Sequence, residues 1–142
     1  MIYDGMPVPT ESVEQQRLFQ WAFYETGAFP ELDLMYHIPN EGKRSRATGG
    51  RMRAEGLKPG VPDICLPIPR AAYKSLYIEL KRRKGGSLSD TQLTWLLKLQ
   101  KQGHCVCWCQ GWEAAAVVIM DYLKNGAIKY RKTKHKGGDL HA

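Results

Sequence analysis

The chain is 142 residues long, 43% hydrophobic and 25% charged, the balance of one globular domain with room for a core. No apolar run approaches the ~20 residues a bilayer crossing needs. The acidic opening MIYDGMPVPTESVEQQ has no apolar stretch of the signal-peptide kind, so membrane and secreted classes drop out and a bacterial or phage-infected cytoplasm is expected.

A first helix is predicted over residues 11–25, capped by Thr10 or Ser12, with Ser12 and Gln15 as a capping box. Its apolar stripe includes Leu18, Trp21 and Ala22. Glu14 lies one turn before Leu18 on that stripe. It is either a first-turn acid favoured by the helix dipole or a buried acid that must find a partner. LDLMYHIP (32–39) reads as a first strand ended by Pro39, followed by a turn at Asn40-Glu41-Gly42. A short helix ending near Gly56 is expected in the next stretch, weakened by two glycines.

Asp63–Leu66 is the second strand, PRAAYKS (69–75) a turn, and Leu76–Lys81 the third strand. Ser89 and Gln92 form a capping box at the head of SDTQLTWLLKLQKQ, which Gly103 stops. HCVCWCQ (104–110) is a fourth strand, and GWEAAAVVIMDYLKN a last helix ending at Gly126. Residues 1–126 thus form one domain, and the basic tail 127–142 is expected to be mobile. Helices alternating with strands imply an α/β sandwich with a mixed sheet. The second and third strands should pair antiparallel across their short link, and the third and fourth parallel across a helix.

Charge is uneven within a net +7. Residues 1–36 carry six acids and one base, whereas residues 43–58 carry Lys43, Arg44, Arg46, Arg51, Arg53 and Lys58 against one acid, Glu55. Further bases cluster at 81–84 and in the tail. Such clusters either attract a polyanion, most commonly nucleic acid, or form a solvated surface. Cys105, Cys107 and Cys109 fall on one strand face, and with Cys65 they lack the paired spacing of a zinc site, so they read as reduced core residues.

Chemistry concentrates in Pro62-Asp63 and, sixteen residues on, Glu79-Leu80-Lys81. On the third strand Leu76, Ile78 and Leu80 face one way, and Tyr77, Glu79 and Lys81 the other. Phosphodiester cleavage needs a hard cation, a nucleophilic water and a group to place that water. Mg²⁺ is satisfied by one or two carboxylates plus a carbonyl, because it keeps several waters. Asp63, Glu79 and the Leu80 carbonyl can supply that set, with Lys81 beside the water or phosphate. The plain alternative for Glu79 and Lys81 is a salt-bridged pair on a half-wet strand.

In order, Glu14-Gln15, HIPNEG (37–42), GLKPGVPD (56–63), YIELK (77–81), LSDTQLTWL (88–96) and Gly103 resemble the VRR-NUC family, the virus-type replication and repair nucleases of the PD-(D/E)xK superfamily. The resemblance spans roughly residues 11–120. It implies an α-β-β-β-α-β core with a mixed four-stranded sheet. It implies Mg²⁺ or Mn²⁺ held by Asp63, Glu79 and the Leu80 carbonyl, with Glu14 as a further ligand, and Lys81 serving the water or transition state. Gln92 would sit near the site, compatibly with its capping role. Asn40 and Gly42 would shape the loop into the basic segment.

Stand-alone relatives of this size resemble homodimeric, structure-selective nucleases of branched DNA, including four-way junctions. The six bases from Lys43 to Lys58 would hold the phosphate backbone, and no base-reading module accompanies them. A flap, nick or non-specific nuclease, a non-cleaving nucleic-acid-binding module and a hydrolase of small phosphorylated substrates are the rivals. The third lacks any Gly-rich nucleotide loop, and no nucleotide cofactor is expected.

Overall fold

A computed structural model describes the backbone of residues 1–40, 46–129, 131–135 and 138–141, with side chains over 1–40 and 47–129. The chain opens with a small hairpin, β1 (Ile2–Tyr3) and β2 (Met6–Pro7), closed through Asp4 and Gly5 at positive φ. Helix α1 (Glu11–Glu25) follows. Thr10 is its N-cap, accepting from the Val13 N–H at 3.2 Å, while Ser12 instead accepts from the Gln16 side chain.

The expected first strand is mostly not a strand. Residues Pro30–Leu34 form a 3₁₀ turn, and only Tyr36–His37 (β3) joins the sheet. Pro30 sets the turn's first φ, and Leu32 and Met35 bury at the i, i+3 spacing that brings side chains together on a 3₁₀ helix. Helix α2 (Arg46–Ala54) lies within the basic stretch as expected.

Strands β4 (Ile64–Leu66) and β5 (Leu76–Lys81) pair antiparallel, and β5 pairs parallel with β6 (Cys105–Gln110) across helix α3 (Asp90–Lys101). Helix α4 (Trp112–Asn125) ends on Gly126 in the left-handed conformation, where a Cβ would lie 2.8 Å from that of Ala71. The core is thus a mixed sheet β3-β4-β5-β6. The tail adds β7 (Arg131–His135) and β8 (Gly138–His141), with β8 parallel to β6, so a segment whose composition reads as mobile extends the sheet to six strands.

The two sheet faces have separate cores. Leu18 and Ala22 of α1 and Ala115, Val118, Ile119 and Tyr122 of α4 cover Leu76, Ile78, Leu80 and the three β6 cysteines. Leu96 of α3 packs on Val106 and Trp108 of the opposite face. All four cysteines are free and buried, and burial pushes the Cys105 thiol up to about 12, which makes it an inert core group. The strand alternation of β5 therefore sends Glu79 and Lys81 to the α3 side, beside the smaller core. Among the described residues no helix is long and apolar enough to cross a membrane.

Candidate active site

Asp63 stands just before β4, where the pairing with β5 stops. Its backbone carbonyl accepts from the Ile38 N–H at 2.6 Å and from His37 Nδ1–H at 3.0 Å, which ties it to the β3 end. Its carboxylate Oδ2 accepts from the Leu80 N–H at 2.9 Å. In an extended strand a residue's N–H and C=O project to the same edge, so the Leu80 carbonyl points toward Asp63 as well. The sequence thus gathers one carboxylate and one carbonyl at a strand end by backbone geometry.

Glu79 is 2% exposed. Its Oε1 accepts from Gln92 Nε2 at 2.8 Å and lies 3.4 Å from Lys81 Nζ. Its Oε2 is buried without a hydrogen-bond partner. Burial and then the Asp63 charge push the Glu79 carboxyl up to about 8, against the pull of Lys81. Burial likewise raises Asp63, opposed by the Leu80 N–H and by Lys81. Two desolvated acids that resist ionising together, one with an orphaned oxygen, are what a hard cation relieves. The all-oxygen donor set fits Mg²⁺ or Mn²⁺. Among the described residues no group of three His, Cys, Asp or Glu side chains is gathered closely enough to hold a metal.

Gln92 closes the cap of α3 and also bonds Glu79. Its Oε1 accepts from the Ser89 N–H at 3.0 Å while the Ser89 hydroxyl accepts from the Gln92 N–H at 3.1 Å, a complete capping box. Its amide nitrogen then reaches Glu79 and fixes that carboxylate's rotamer.

Glu14 does not turn to this site. It is fully buried, and each oxygen accepts two hydrogen bonds, Oε2 from Arg83 Nε and N–H, Oε1 from Arg83 Nη2 and the Trp112 N–H. Four donors fill a carboxylate's lone-pair sites, so none is left for a metal. Burial alone would raise its pKa, but the Arg83 and Trp112 bonds hold it below the usual carboxylate value. The α1 acid that faces the constellation is Glu11, whose Oε1 lies 3.9 Å from Lys81 Nζ and whose charge raises Asp63 further. Glu11, His37 and Arg83 were not singled out from the sequence. Glu11 occupies the same first turn as Glu14, and only the fold separates the two.

Of the basic residues, Lys43 and Arg44 lie outside the described residues, as do Glu41, Gly42 and the Arg46 side chain. Arg51 and Arg53 are exposed on α2, and Arg51 meets Glu55 at 4.0 Å. Lys58 is exposed in the loop that leads through Gly60 to Asp63. Asn40 is exposed at the end of the β3 segment.

The family model of the VRR-NUC domain matches residues 9–113, more than half of the chain. A solved structure described as a VRR_NUC domain protein superposes with a TM-score of 0.72 at 26% identity, over 84% of this chain and 92% of its own. No curated protein matches the sequence.

Proposed function

We propose that this chain, which belongs to the VRR-NUC nuclease family, is a divalent-metal-dependent endonuclease that hydrolyses phosphodiester bonds in branched DNA, four-way (Holliday) junctions included, as a homodimer. One observation carries the metal-dependent reading: two buried carboxyls, Asp63 and Glu79, at one strand end, with Glu79 Oε2 buried and receiving no hydrogen bond. Asp63, Glu79 and the Leu80 carbonyl would hold Mg²⁺ or Mn²⁺. When bound, the ion supplies charge neutralisation at the scissile phosphate and a water of lowered pKa.

The chain's own residues do the placing. Gln92 fixes Glu79, and the Leu80 N–H fixes Asp63, so neither carboxylate must reorganise when substrate arrives. Lys81 is held between Glu79 and Glu11 and would offer a positive charge to the attacking water or the phosphate. Arg51, Arg53 and Lys58 offer phosphate contacts that set position without reading bases, which supports recognition of structure over sequence. Two copies related by a two-fold would present paired sites for symmetric incisions, and the exposed Phe23 and Tyr24 of α1 are apolar surface a second copy could cover.

The test is cleavage of labelled four-way junction, flap, linear duplex and single-stranded DNA with Mg²⁺, Mn²⁺ or EDTA. Metal-dependent symmetric cutting of the junction is expected. Preferential cutting of flaps or linear duplex would discard the junction role and keep the site, whereas cutting in EDTA would discard the metal.

A further inference from the structure

A groove of about 520 Å³ lies along the outer side of α3, lined by Lys58, Asp90, Thr91, Thr94, Trp95 and Lys98. It contains none of the residues Asp63, Glu79, Lys81 or Gln92. One wall is the loop that carries Lys58 and Gly60 toward Asp63. Gly60 has φ +89°, and a Cβ there would lie 2.5 Å from the Thr91 methyl and 3.0 Å from Trp95 Cδ1, so backbone is pressed directly on the helix. Only glycine fits at position 60, which seats the loop that carries Lys58 against α3.

Trp95 forms one side of it. The indole is part of neither hydrophobic core cluster, although Leu96 beside it is fully buried. Lys58 and Lys98 stand exposed at the rim, and among the described residues neither has an ion-pair partner. An indole and two lysines lining one groove, with the single carboxylate of Asp90 among them, offer a stacking surface with net positive charge beside it, a chemistry that suits a nucleobase and its flanking phosphates. Trp95 follows Gln92 by three residues, a rise of ~4.5 Å along the helix. Gln92 is bonded to Glu79. A base stacked on Trp95 would thus lie about one helical turn from the residue that holds Glu79.

We propose that this groove receives one unpaired base of the strand being cut, stacked on Trp95 and held by Lys58 and Lys98 through its flanking phosphates. This rests on the nuclease reading above and deepens it. A base inside duplex has both faces stacked, so the groove selects substrates that offer an unpaired or easily unstacked nucleotide next to the scissile bond.

The experiment scans a single abasic site, one nucleotide at a time, across a cleaved DNA substrate and measures kcat/KM for wild type, Trp95→Phe and Trp95→Leu. Leucine keeps apolar contact with the Gly60 loop but has no π face. Wild type should lose roughly 5- to 150-fold at one position within a few nucleotides of the cut, the range base–aromatic stacking reaches. Trp95→Leu should show that loss on intact DNA and none further at that abasic position, whereas Trp95→Phe should behave much as wild type. The wild-type scan is read even if a variant fails to fold. An active wild type with no sensitive position, or losses that multiply in Trp95→Leu, overturns the groove and leaves the nuclease reading standing. A wild type that neither cuts nor binds any of these DNAs overturns both.

Discussion

Glu11 and Glu14 occupy the same first turn of α1, yet one faces Lys81 at the candidate site and the other is sealed inside the protein. Sequence spacing could not separate them, because the partner that claims Glu14 is Arg83, 69 residues away. What was legible was that an acid on a buried stripe needs a partner. Arg83→Ala strands that carboxylate and should cost about 3–5 kcal/mol of unfolding free energy, as loss of one member of a buried ion pair does.

The pH dependence has a definite sign. Glu14 is held below its ordinary 4.5 in the folded protein, so its contribution is present above that value and lost as the pH falls through the folded pKa. In Arg83→Ala the side-chain bonds and the charge are gone, burial is opposed only by the two backbone N–H bonds from position 83 and Trp112, and Glu14 shifts toward the protonated form. The stability gap between wild type and variant should therefore be widest near neutrality and narrow below pH ~4.5, as denaturant titrations at several pH values would show. Gln92 is the other single-residue case. Gln92→Ala removes both the cap partner and the bond to Glu79, and kcat should fall about 10- to 100-fold, the usual cost of losing a residue that orients a metal ligand, with KM changed less.

At the scale of elements, helices with clear caps and stops were readable to the residue or nearly so. Residues 11–25, 90–101 and 112–125 follow their Thr10 and Ser89 caps and their Gly103 and Gly126 ends. The first strand was not readable, since Leu32 and Met35 satisfy a strand's apolar demand as well as a 3₁₀ turn's. The N-terminal hairpin was missed because it is held by distant donors, Lys84 to the Ile2 carbonyl and Arg82 to that of Val8.

Gly60 shows how one loop residue positions the site. Gly60→Ala forces both a left-handed conformation and a clash with Thr91, so a loss of at least about 1–3 kcal/mol is expected, with cleavage reduced because the loop carries Asp63. Thermal unfolding and single-turnover rates check it. The basic segment supplies charge of another kind. Replacing Arg51, Arg53 and Lys58 with Ala should weaken DNA binding on every sequence and lower the salt slope by about one per lost phosphate contact. An unchanged slope would move the DNA surface elsewhere, the basic tail being the next candidate.

Over the whole molecule, the mixed sheet places its two cores on opposite faces, and the acids emerge where β4 begins and β5 runs on past it. Asp63 and Glu79 were legible because a short β4–β5 link with known strand alternation leaves few places for them to go. The six-stranded extension was not legible, since a lysine-rich tail has the composition of a solvated segment and joins the sheet through backbone pairing. Net charge +7 fits a polyanionic partner at this scale, while the proposed chemistry would rest on two buried carboxyls. The most direct test is Asp63→Asn, measured as single-turnover cleavage with Mg²⁺ beside DNA affinity in EDTA. Cleavage should drop at least about 10³-fold, because the lost charge would hold the metal in the proposed site and several kcal/mol of transition-state stabilisation would go with it, while affinity stays near wild type. Full cleavage by Asp63→Asn would contradict the assignment of Asp63 and Glu79 as the metal-holding pair.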